Sequence, residues 1–403
     1  MAFAVRAVGL PVFMILIILG APAAGGQTPG PVTRCESCQL RLDLEVEKVT
    51  YEVGEPIVIA MRLDNVGTTQ VQLQHTSDVT GRHDGYRFEV FDEDARQLPD
   101  PGKAAISLLG ALGGMVSVAP GGADSRRLTL NYQVAPLKPG RYSLRGVFDS
   151  SYPQSGVHAD SNSIVIRIEP TPTESIRRRV DRLLRNVAAD PQHVAPYLGF
   201  TGDRAAIPPL VDLLYHKDDG VQVSALDALL YLDRGAVEGA LLDALRDRGP
   251  REGMVHFLVV NLATPNALIR PLLIQGLRSA DGNARMGAVE GLRLSNSGHD
   301  SELFAPLAAT LRDPVAGVRH KASAAVGAYQ NQPALAALTP LVDDPDITVS
   351  EQTTIAIGWI AQAAAVGSDT RVTAIDVLRR AAKSDRRAVA EQARKWLANV
   401  GAQ

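Results

Sequence analysis

Cys35 and Cys38 are the chain's two cysteines, spaced C-x-x-C ahead of an alternating polar and apolar stretch. In an oxidising compartment such a pair closes a small-loop disulfide. A redox-active pair is the second reading, but thioredoxin-like motifs open a helix in an α/β unit, and this one precedes a strand pattern. Gln39 stands where a haem-attachment motif requires His. Zinc would need two further ligands, and none of the eight His residues falls in a companion motif. The acidic clusters Asp92-Glu93-Asp94 and Asp343-Asp344-x-Asp346 lack the oxygen-ligand spacing of a calcium loop. Residues 104–118 are glycine-rich and uncharged, yet match neither phosphate-cradling pattern, and G-x-S-x-G and H-E-x-x-H are absent. No catalytic residue, metal ligand or cofactor is therefore assigned. The expectation is a non-enzymatic protein with no evident small-molecule substrate.

The elements that carry these residues are bounded first by composition. The chain has 403 residues, 45% hydrophobic, 21% charged and 5% aromatic, which is ordinary for globular domains. A net charge of −3 lacks the Lys/Arg excess with which a nucleic-acid binder neutralises phosphates, so no nucleic-acid partner is expected. Residues 10–19 are continuously apolar behind Arg6 and ahead of small residues, the order of a secretory signal peptide. That run is too short to span a bilayer, and no later run is long enough, so no membrane span is expected in the mature chain. Export to the periplasm or the extracellular space follows, with residues 1–26 as signal and 27–39 as a linker holding the cysteines.

From residue 40 the period becomes two. Leu42, Leu44 and Val46 alternate with charged residues, as do Ile57, Ile59, Met61 and Leu63, then Tyr86, Phe88 and Val90, and finally Ile164, Ile166 and Ile168. Strict alternation marks strands with one buried face. Turn signals at Asn65-Val66-Gly67, Asp84-Gly85, Pro120-Gly121-Gly122 and Lys138-Pro139-Gly140 separate about seven antiparallel strands over residues 40–170. The Pro-Gly turn leading into Tyr142-x-Leu144, with Tyr51-Glu52-Val53-Gly54-Glu55-Pro56-Ile57, resembles bacterial immunoglobulin-like domains, including the kind first seen in an intracellular proteinase inhibitor. The resemblance implies an Ig-like β-sandwich in which the Tyr142 hydroxyl satisfies a backbone group of the preceding turn.

Pro170 and Pro172 end the strand pattern, and helical periodicity occupies 171–403. A phrase recurs there: an apolar helix, a turn Asp, then an Ala-rich second helix. It is clearest at residues 307–327, returns at 218–230, 281–292, 344–357 and 385–397, and is weaker at 247–262. Its small-residue anchors are Ala225, Leu258, Ala288, Ala322, Thr353 and Ala393, at a spacing of roughly 30–40 residues. A two-helix repeat with an Asp turn and Val-Arg-x-x-Ala resembles HEAT repeats, in particular the short bacterial, phycobilin-lyase-like type. The resemblance implies a right-handed α-solenoid of HEAT-type helical hairpins, so the whole chain reads as multidomain, all-β plus all-α. It also implies that Arg285 and Arg319 bridge to the turn Asp of an adjacent repeat. Residues 361–371 read as an inserted inter-repeat loop.

A hairpin cannot bury its apolar face alone, and stacked second helices line a concave side suited to a protein partner. The expected function is an exported protein-binding scaffold or adaptor, with Arg285, Arg319, His320 and Trp359 as candidate partner-binding residues. The alternative is an inhibitor or sensor acting through the sandwich and residues 104–118. Lyase-type activity would rest on family analogy alone, and the chain has no isolated cysteine of the kind a bilin-attaching enzyme offers.

Overall fold

The computed structural model describes residues 31–34, 39–76, 85–100, 113–134, 137–150, 157–187, 189–295 and 300–402. The expected signal segment, Cys35 and Cys38, and residues 104–112 of the apolar stretch lie outside the described residues.

Ten strands are described: β1 (Val32–Arg34), β2 (Gln39–Val46), β3 (Thr50–Glu52), β4 (Val58–Asn65), β5 (Val71–Thr76), β6 (Tyr86–Phe91), β7 (Gly113–Val118), β8 (Ala123–Thr129), β9 (Gly140–Ser150) and β10 (Val157–Glu169). One antiparallel ladder runs β1-β2-β4-β8, a second joins β6-β9-β10 with β3 on the far edge of β10, and β5 pairs with β7. Inward residues of both ladders, among them Leu42, Leu44, Met61, Phe88, Leu144 and Ile166, form one buried cluster. Gly146 on β9 marks the closest approach. A Cβ there would stand 2.5 Å from Leu44 Cδ1 and 2.6 Å from Met61 Cε, so a side chain would have to push both ends aside.

The all-antiparallel expectation is corrected at one edge. The alternation that begins at residue 40 is one strand, β2, in the first ladder, and after Lys48 the chain crosses to pair a further short strand, β3, in parallel with β10. The crossing is held by the Arg167 N–H donating to the Val49 carbonyl at 2.8 Å. A parallel bridge between Ser161 and Leu42 joins the ladders again, beside an irregularity in β10 between Asp160 and Ser163. Asn162 fills that irregularity, its side chain accepting from the Leu44 N–H and donating to the Leu44 carbonyl. The Tyr142 hydroxyl donates to the Lys138 carbonyl at 2.9 Å, closing the turn before β9.

The helical part comprises α1 (Thr173–Val187), α2 (Pro191–Phe200), α3 (Ile207–Leu213), α4 (Asp219–Leu229), α5 (Arg234–Arg248), α6 (Glu252–His256), α7 (Asn266–Gly276), α8 (Gly282–Ser295), α9 (Ser301–Ala309), α10 (Ala316–Gly327), α11 (Gln332–Leu338), α12 (Ile347–Ala363), α13 (Asp369–Ala381) and α14 (Arg387–Asn399). Even-numbered helices stack on one another as an inner layer, and odd-numbered ones form the second layer. All six anchors are fully buried, each at 0% exposure. Asp218 caps α4, Asp233 caps α5, Asp300 caps α9 and Asp346 caps α12, each accepting an otherwise unpaired N–H of the first turn. The insertion expected as a loop over 361–371 is partly helix: α12 continues through Ala363, with Ala361 fully buried, so only a short connection precedes α13. Among the described residues no helix is long and apolar enough to cross a membrane.

The strand part docks on the first hairpins through aromatic rings. Phe200 meets Tyr132 and Tyr231 edge-on, with centroids at 5.0 Å and 5.2 Å, and the Tyr231 hydroxyl donates to the Tyr132 carbonyl at 2.7 Å. Gly54, at φ +73°, lies so close that a Cβ would stand 2.7 Å from Thr201 Cα.

Candidate functional site

The inner layer is held in register by a ladder of arginines and turn aspartates. Arg251, immediately ahead of α6, pairs with Asp281 ahead of α8 at 2.8 Å. Arg285 of α8 grips Asp313 ahead of α10 with two bonds, Nε to Oδ2 at 2.6 Å and Nη2 to Oδ1 at 2.8 Å. Arg319 of α10 grips Asp344 ahead of α12 in the same way, both bonds at 2.8 Å. The third nitrogen of each fork turns back to its own turn, Arg285 to the Ser279 carbonyl and Arg319 to the Asp313 carbonyl. The pairs are well covered, with side-chain exposures of 13% and 7% for Arg285–Asp313 and 14% and 7% for Arg319–Asp344. Burial pushes the Asp313 carboxyl up, but the Arg285 hydrogen bonds outweigh it and the net shift is downward. Hydrogen bonding from Arg319 likewise lowers Asp344.

Thus Arg285 and Arg319 stand between repeats with their donors engaged inside the chain. His320 also spans a repeat boundary: its Nδ1 donates to the Thr348 carbonyl at the start of α12 at 3.0 Å. Trp359 is half-buried on α12, its ring edge over Gly327 of α10, where a Cβ would stand 3.5 Å from Trp359 Cε3. The structure therefore strings these four residues along the stack and does not gather them into one place. Trp396 of α14 covers Gly358 of α12 in the next layer.

A polar cluster does gather on the inner layer, on residues that sequence reasoning did not assign as a site. Glu252 and His256 lie on α6, Glu290 and Arg293 on α8, and Lys321 on α10. Arg293 forks onto Glu290, Nε to Oε2 at 2.9 Å and Nη2 to Oε1 at 2.7 Å. Glu290 is buried, and burial raises its carboxyl. The Arg293 hydrogen bonds, with the charges of Arg293, Lys321 and His256, overcome that and hold it below the usual range. Lys321 reaches past α8 to Glu252, Nζ to Oε1 at 2.5 Å. The pair therefore joins α10 to α6 directly across α8. His256 Nε2 is buried without a hydrogen-bond partner among the described residues.

The backbone is irregular at the same place. After His256 the helix continues as one π-helical turn, Phe257–Asn261, followed by Ala263 at φ +48°. Single π turns recur at functional sites. The signals in the sequence were slight: Glu252 and His256 at i,i+4, Glu290 and Arg293 at i,i+3, and a Glu set between Val289 and Gly291 on a face otherwise small or apolar. Among the described residues no group of three His, Cys, Asp or Glu could hold a metal ion.

Two family models match within the helical part. The family described as HEAT repeats matches residues 270–358, and the armadillo/beta-catenin-like repeat matches residues 204–232. No curated protein matches. Among solved structures, an archaeal HEAT-like repeats protein from Thermococcus onnurineus NA1 is 13% identical, covering 58% of this chain and 98% of its own at a TM-score of 0.36. Human deoxyhypusine hydroxylase in complex with glycerol is 19% identical over 56% of this chain and 85% of its own, at a TM-score of 0.27. A designed armadillo repeat protein in complex with the peptide (KR)4 is 18% identical over 57% of this chain and 94% of its own, at 0.29. On the family matches and the stacked hairpins, the C-terminal region of this chain is a run of HEAT/armadillo-type repeats.

Proposed function

We propose that this chain is an exported, non-enzymatic scaffold that holds a partner protein on the inner face of its repeats. The observation that carries the reading is the Lys321–Glu252 pair across α8, with Glu290, Arg293 and His256 beside it. A concave face with charges of both signs, fixed in position by a ladder beneath, suits recognition of a segment with mixed polarity. Export is supported by residues 1–26 alone, and fractionation of the expressing cell tests it. The strand part reads as Ig-like, supported by the chain's change of ladder after Lys48 and by the Tyr142 turn bond.

Photo-cross-linking tests the scaffold reading. With a photo-reactive residue placed in turn on α6, α8 and α10 of the chain from Gln27 onward, one partner should be captured from an envelope extract at all three. Lys321→Gln should weaken that capture at least about tenfold while lowering the melting temperature only slightly, since a partly exposed pair contributes about 1 kcal/mol. One observation favours a second reading: Met115 on β7, at the described end of the apolar stretch, is 44% exposed. Capture confined to β5 and β7 would replace the scaffold with an inhibitor or sensor acting through the strand part.

A further inference from the structure

Where the strand part meets α1 there is a cleft of about 480 Å³. Its volume lies within the range of small-ligand sites, which favour domain boundaries. One wall is polar and internally matched. Lys48 pairs with Glu55 at 2.5 Å, and Arg179 pairs with Glu52 and also donates to the Val53 carbonyl. The other wall is apolar, made by Pro56, Leu183 and the Tyr197 ring. One charge is left over. Arg182, one turn beyond Arg179 on α1, lines the cleft, and no acidic side chain among the described residues pairs with it.

We propose that this cleft binds a small monocarboxylate with an apolar body, the chemistry of an acylated apolar amino acid or of a peptide's C-terminal residue. Arg182 supplies the fork for the carboxylate, and Leu183, Pro56 and Tyr197 cover the apolar body. Glu52 and Glu55 are matched by Arg179 and Lys48, so Arg182 leaves one positive charge that a single carboxylate balances, and phosphate lacks the apolar body that the other wall covers. The walls are preset. Gly54, which has no room for a Cβ against Thr201, fixes the loop between β3 and β4, and the aromatic contacts around Phe200 fix the first hairpin. The proposal is independent of the inner face of the repeats.

The test uses the chain from Gln27 onward with N-acetyl-L-leucine, N-acetyl-L-leucinamide and inorganic phosphate as probes, followed by calorimetry and by the methyl resonances of Leu183. The acid should bind at least about tenfold more tightly than the amide and shift Leu183, and phosphate should not compete. Arg182→Gln should erase the preference for the acid, while Arg178→Gln, on the same helix but outside the cleft, should preserve it. Equal binding of acid and amide, no binding of either, competition by phosphate at similar concentration, or an unchanged preference in Arg182→Gln would each overturn the assignment.

Discussion

At the scale of single residues, the forked pairs between Arg285 and Asp313 and between Arg319 and Asp344 have the most to lose from substitution. Each carboxylate is nearly covered, so removing its arginine leaves a buried charge unmatched. Arg285→Ala should destabilise the chain by about 3 kcal/mol in chemical denaturation. Arg319→Ala should do the same, while Arg387→Ala, whose partner Glu391 is exposed, should change little. The pH dependence has a definite sign. Asp313 and Asp344 titrate below their unfolded values, so their stabilisation is present above the ordinary Asp pKa and is lost as pH falls through the depressed folded one. Melting temperatures should therefore fall as pH is lowered through and below about 4, with a shallower fall in the Arg285→Ala, Arg319→Ala double variant. The two arginines were legible in the sequence because Arg285-x-x-Ala288 and Arg319-x-x-Ala322 fall in register behind a turn Asp. Glu290 and Lys321 were not, since the face a charged helical residue presents depends on the neighbouring repeat.

At the scale of elements, glycine as well as alanine sets how closely the inner helices approach. At Gly327 a Cβ would stand 2.6 Å from Ala356 Cβ, and at Gly287 it would stand 2.9 Å from the Arg251 carbonyl carbon. Gly291 and Gly358 face Val255 and Trp396 still more closely. Gly358→Ala should cost about 1–3 kcal/mol by overpacking. Gly239 on α5 has open space around it, and Gly239→Ala should instead stabilise by roughly 0.5–1 kcal/mol through helix propensity. Paired melts of the two variants give opposite signs if helix approach decides, and the same sign if propensity alone does. The alternation in β2, β4, β6 and β10 made those strands legible. The crossing to β3 was not, because a parallel pair with β10 depends on residues more than a hundred positions apart. The extra turns of α12 were also hidden, since 361–371 carries Gly367 and polar residues that read as a loop from composition.

At the scale of the whole molecule, Phe200 ties the two parts together, contacting rings on both sides of the boundary. Scanning calorimetry should show one transition for the unaltered chain. Phe200→Ala, which empties a buried aromatic site, should cost about 3–5 kcal/mol and split the transition in two. Tyr231→Phe removes one hydrogen bond and should cost about 1 kcal/mol without splitting it. The division near residue 170 was readable from the change of period, whereas the docking was not, because scattered aromatics reveal nothing of their meeting until both parts are folded.

The π turn after His256 carries a mechanical consequence. The arginine ladder begins at Arg251. At the place on α4 that matches Arg285 and Arg319, three residues before Ala225, stands Gln222, which bonds back to its own turn at the His216 carbonyl and toward Asp219. The joint between α4 and α6 thus lacks a rung and borders the helix that runs into a π turn. Stretched from end to end, the stack would yield there first, opening as a hinge while the braced stretch from α8 to α12 moved as a single stiff arm.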